Sequence, residues 1–118
     1  MTSSGTSRGT SRSPSDDLHS EYLRAELFLG SGQPTEAARI LEPVADAHPG
    51  NEAVLELLGR SYFAAAQLVR AEAVLRQLVE LAPANGWARR ALARTLERQS
   101  RREEAVPHHR MADALGAD

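Results

Sequence analysis

The chain contains no cysteine and no lysine, and its aromatic residues amount to one Trp, two Tyr and two Phe. Without cysteine there can be no disulfide framework and no Cys-ligated zinc or iron–sulfur site. Few aromatics beside abundant alanine suit helices packed closely around small side chains better than a β-sandwich core. No run approaches the roughly 18 apolar residues of a membrane span, and the start lacks the basic and apolar segments of a signal peptide. The expected setting is cytoplasmic, with no membrane partner. Every basic residue is Arg, which with the alanine content suits a GC-rich genome.

Catalytic signatures are also missing. There is no Gly-rich phosphate loop, no Ser/His/Asp ordering and no pair of carboxylates in a plausible pocket, so the chain is expected not to be an enzyme. No cofactor is implied. His108 and His109 invite a metal reading with Asp113, but adjacent helical residues point about 100° apart. A polar helix with a His109–Asp113 contact is the simpler expectation, and no metal site is assigned. His19 and His48 read as isolated surface residues.

What is present is a period. The 118 residues, 42% apolar and 25% charged, suit one globular domain. Shifted by 34, the sequence aligns Ala37, Ala71 and Ala105, and Pro49 with Pro83. Small residues Ala25, Gly59 and Ala93 superpose too, as do the larger Phe28, Tyr62 and Leu96. Small residues at such spacing, closed by Pro, describe pairs of helices that cross closely and then break.

Residues 1–17 hold Ser, Thr, Gly and Pro with no large apolar residue after Met1, which predicts a disordered tail. Its hydroxyls beside Arg8 and Arg12 are candidate modification sites, although unmodified tails share this composition. Apolar spacing then predicts helices over about 17–30 and from Pro34 to near His48, the latter kinked or shortened by Pro43. A third helix capped by Asn51 carries the most regular stripe, from Val54 to Phe63. Its partner spans about 68–81. The last pair begins after Asn85 and from about Arg102, and Pro107 is expected to mark a fraying end.

Residues 52–85 resemble a tetratricopeptide repeat, with Leu55, Leu58-Gly59, Tyr62, Ala71, Leu75 and Pro83 at its characteristic positions. Residues 18–51 and 86–118 are similar more loosely: Glu21 and Arg24, and then Arg89 and His109, stand where apolar residues are usual. The resemblance, to a small bacterial type with about three repeats, implies an all-α fold of three helix-turn-helix units in a short right-handed superhelix. Polar departures at the ends suit terminal repeats, which lack a neighbour.

The family's concave groove is lined by the first helix of each repeat. By resemblance this places Tyr22, Glu26 and Leu29, then Glu56, Arg60 and Phe63, then Trp87, Arg90, Arg94 and Arg98 on it. Arg90, Arg94 and Arg98 lie four apart and so form one row on a helix. Trp beside Arg is a combination enriched at binding hot spots, and Arg offers forked donors to carboxylates. The expected role is a non-catalytic adaptor capturing a protein or peptide, with an acidic segment as the refinement. The Lys/Asn clamp by which some repeats hold chaperone C-terminal carboxylates has no counterpart here, since Tyr22, Glu26, Leu57, Trp87 and Ala91 occupy its places. Two other readings stand beside capture. Self-association through the last helix would cover Met111 and Leu115. Nucleic-acid binding would use Arg89, Arg90, Arg94, Arg98, Arg101, Arg102 and Arg110, but interleaved Glu97, Glu103 and Glu104 and a net charge of -2 argue against it.

Overall fold

A computed structural model describes residues 14–118, with side chains from residue 17. The expected disordered tail therefore lies largely outside the described residues. Six helices follow in order: α1 (Pro14–Gly30), α2 (Pro34–Ala47), α3 (Glu52–Ala64), α4 (Leu68–Leu81), α5 (Gly86–Arg98) and α6 (Arg102–Ala114). The first begins earlier than the apolar spacing indicates. A proline suits the first turn of a helix, and an apolar pattern does not register it.

Helices pack as the hairpins α1–α2, α3–α4 and α5–α6, and successive hairpins stack through α2 on α3 and α4 on α5. This is an all-α repeat fold. No helix among the described residues is long and apolar enough to cross a membrane. Asn51 and Asn85, in register, each cap the following helix, accepting from the amides of Val54 and Ala88 at 3.0 Å. Helix α2 runs through Pro43 unbroken, and α6 likewise passes Pro107. Both prolines are exposed, as are Arg39 and Glu103 one turn before them, so both helices carry the missing bond on their solvent-facing sides.

The period extends to the backbone of the turns. Gly32, Ala66 and Ser100 all have positive φ, at 80°, 59° and 64°. Only glycine adopts this region without strain. Replacing Ala66 with Gly is therefore expected to raise stability by about 0.5–1 kcal/mol, after allowing for glycine's greater unfolded-state entropy. Denaturant melts measure this directly, and a destabilised variant would refute it.

Two buried clusters follow the stacking. One joins Ala25, Ala37 and Leu41 to Val54, Leu58 and Tyr62; the other joins Leu55, Leu75 and Leu78 to Leu92, Leu96 and Ala105. Met111 and Leu115 remain 43% and 37% exposed. Polar bridges reinforce both junctions. The Tyr62 hydroxyl donates to Glu42 at 2.5 Å. Glu72 accepts from Arg101 at 2.6 Å, Arg76 at 2.9 Å and Gln99 at 3.0 Å. Burial pushes the Glu72 carboxyl up, but these donors outweigh it and hold its pKa at about 2.

Candidate partner-binding groove

A cavity opens between α3 and α5. Its volume is about 480 Å³, and it is lined by Arg60 and Phe63 from α3, Trp87, Arg90, Ala91 and Arg94 from α5, Gly59 and Leu75 at its floor, and Gly116 to Asp118. Gly59 permits the close approach: a Cβ there would stand 3.0 Å from Cδ2 of Leu75.

Each aromatic wall carries a guanidinium. Arg60 lies over the Trp87 ring with its central carbon 4.9 Å from the centroid, and Arg98 over Phe63 at 4.7 Å. Arg60 is also held by Glu56 at 2.9 Å, and Arg98 donates to the Phe63 carbonyl at 3.3 Å. These contacts present cations and flat apolar faces together.

The row Arg90, Arg94, Arg98 has three different fates. Arg90 turns toward α6 and the segment after it. Its guanidinium meets Nδ1 of His109 at 2.7 Å and the Asp118 carbonyl at 2.9 Å, and pairs with Asp113. Only 15% of its side chain remains exposed. Arg98 is committed to Phe63. Arg94 alone of the three is exposed with no hydrogen-bond or ion-pair partner among the described residues.

The expected His109–Asp113 contact is not the one formed. Arg90 can only donate, so His109 Nδ1 accepts, and Nε2 holds the hydrogen given to Glu97 at 3.0 Å. Glu97 is thereby taken by histidine instead of by the arginine row. His108 faces Arg89 at 3.4 Å, and burial together with that positive charge lowers its pKa. Among the described residues no group of three His, Cys, Asp or Glu is placed to hold a metal ion.

The remaining groove residues lie outside the cavity lining. Tyr22 and Leu29 are half-buried against the first cluster, and Glu26 is exposed. Burial, then Glu26 and Glu56, raise the Tyr22 hydroxyl's pKa, which marks an acidic surrounding for Tyr22. The wall formed by Gly116 to Asp118 has no counterpart in the sequence reading. Its approach depends on Gly86, where a Cβ would meet that of Ala117 at 2.9 Å, and on positive φ at Gly116.

Residues 28–83 match the family model described as tetratricopeptide repeat. Comparison with curated proteins gives no match. Among solved structures, a MamA point mutant superposes with a TM-score of 0.80 at 27% identity, over 85% of this chain and 73% of that one. MamA AMB-1 gives 0.80 at 27%, over 86% and 60%. MamA from Desulfovibrio magneticus RS-1 gives 0.79 at 23%, over 84% and 56%, a likeness of fold alone. This chain thus spans 56% to 73% of the length of these three MamA chains. Three stacked hairpins in a 34-residue register, the family-model match over residues 28–83 and the MamA-like architecture together support a tetratricopeptide repeat protein.

Proposed function

We propose that the chain is a non-catalytic interaction module whose cavity between α3 and α5 captures a partner segment carrying a carboxylate beside an apolar side chain. The observation that carries this reading is Arg94: an exposed guanidinium, without a partner among the described residues, on a cavity walled by Trp87 and Phe63. The carboxylate would take Arg94 with forked, charge-assisted bonds, and the apolar side chain would lie on the aromatic faces. Arg60 adds charge without leaving Trp87. Arg90 holds the wall in place and Arg98 supports Phe63, so neither makes the primary contact. The other proposed groove residues, Tyr22, Glu26, Leu29 and Glu56, would meet the partner's flanking residues, with the acidic surrounding of Tyr22 favouring a basic or neutral flank.

The cavity lining offers arginines, aromatics and the single acidic residue Asp118, which suits binding rather than acid–base or nucleophilic chemistry. A cytoplasmic setting belongs to the same proposal. Nucleic acid is less well supported, because Arg89, Arg90, Arg98 and Arg101 already have protein partners.

An array of short peptides varied in charge and apolar content tests this. Acidic peptides with one large apolar residue should be retained over basic ones. Arg94→Glu and Trp87→Ala should each weaken binding by at least about tenfold while the helical circular dichroism is unchanged. Affinity indifferent to both substitutions would sink the proposal.

A further inference from the structure

Positions on α3 and α5 that pack against the preceding hairpin recur in α1, where the described residues place nothing over them. Leu57 is 5% exposed and Ser61 wholly buried, while Thr95, in register with Ser61, is wholly buried as well. Their counterparts 34 or 68 residues earlier are Leu23 and Leu27, at 45% and 74% exposure. Leu23 and Leu27 lie four apart and so share a helix face. The surface that two repeats bury is thus open on the first, with leucines on it.

The register also states what kind of element covers such a face. In this chain it is chiefly the second helix of a hairpin, α2 on α3 and α4 on α5. These helices reach forward through two positions: Glu42 accepts from Tyr62, and Glu72 accepts from Gln99 and Arg101. On α6 the same positions are Arg110 and Val106, both exposed, Val106 at 44%. Among the described residues, the last hairpin thus has an unused forward face and the first an unused receiving face.

We infer that α6 of a second copy packs on the Leu23 and Leu27 face of α1, continuing the stack from one chain to the next. Charge supports this occupant. Residues 18–51 hold two Arg against five acids, giving -3, and residues 86–118 hold seven Arg against five acids, giving +2. Opposite ends attract head to tail, whereas two copies of the acidic end repel. The chain's own residues 1–13 have no large apolar residue after Met1 with which to cover the leucines. Such a contact is heterologous and does not close on itself in a pair. It is independent of the cavity between α3 and α5.

Light scattering across a concentration series tests it. The wild-type mass should rise with concentration, less steeply at high salt. Leu27→Glu and Val106→Glu should each weaken association by at least about tenfold, with helical content unchanged because both positions are exposed. Leu27→Gln, which adds no charge, should show the same loss in weaker form. Mixing the two Glu variants should restore a complex that stops at two chains, since each keeps one working face. The inference is overturned by a wild type that stays monomeric up to about 1 mM. It is equally overturned if Val106→Glu associates like the wild type, which would mean α1 packing on α1, or if the mixture stays monomeric.

Discussion

Arg90→Ala is expected to lower the unfolding free energy by about 2–4 kcal/mol, whereas Arg94→Ala, one turn along the same helix, should change it by less than about 0.5 kcal/mol. The guanidinium of Arg90 is the junction of α5, α6 and the segment behind it. It holds His109 Nδ1 at 2.7 Å, the Asp118 carbonyl at 2.9 Å and the Ala117 carbonyl at 3.4 Å, with Asp113 beside them. Removing it leaves the half-buried acceptors of His109 and Ala117 without a charged donor, and that loss dominates the cost. Asp113 contributes least, because its side chain is 70% exposed and water replaces the pair readily. His109 would also lose the contact that sets its tautomer, loosening its bond to Glu97. Thermal melts of the two variants decide the matter, and hydrogen exchange should show protection falling first in α6. Equal stability of both variants would contradict the division of the arginine row.

The second large effect sits beneath the cavity. Leu75 is 1% exposed, belongs to the buried cluster joining the second and third hairpins, and forms part of the cavity floor. Leu75→Ala is expected to cost about 2–5 kcal/mol, a substantial share of the roughly 5–15 kcal/mol that stabilises a small domain. Gly59→Ala changes meaning in that background. In the wild type its Cβ would press on Leu75 Cδ2 at 3.0 Å and Cγ at 3.4 Å, so that the buried side chain would have to shift. Once Leu75 is truncated those atoms are gone. The new methyl then fills part of the void and gains the helix propensity that glycine lacks, together about 1–2 kcal/mol. Gly59→Ala with Leu75→Ala should therefore be more stable than Leu75→Ala alone, a coupling read from a double-mutant cycle in denaturant. A double variant no better than the single one would show that the two helices are not held at contact distance by Gly59.

Much of the architecture was legible because its causes are local. The bounds of α4 coincide with the apolar pattern, and Asn51 caps α3 as its side chain and position suggest. The start of α1 was missed by three residues, since a helix begun by Pro14 need show no apolar periodicity there. Pro43 suggests a kinked or shortened helix, but α2 runs on through it to Ala47, since Pro43 and Arg39 one turn before it are exposed and spacing does not report exposure. The wall from Gly116 to Asp118 turns back on α6 through the Gly116 and Ala117 amides, bonded to Asp113 and Ala112, but its docking beside Gly86 and Arg90 joins residues far along the chain, which spacing does not report.

The sequence by itself determined the repeat: a 34-residue recurrence of small and large residues is enough to dictate hairpins that cross closely and stack. It also put Arg90, Arg94 and Arg98 on one line, as a spacing of four must on any helix. Only the tertiary structure decided that the first is consumed by α6, the last by Phe63 and the middle one by nothing among the described residues. Helical spacing makes the three arginines equivalent, and what distinguishes them is partners on other helices, tens of residues away. The same holds for the leucines of α1, whose exposure depends on whether a second helix lies over them.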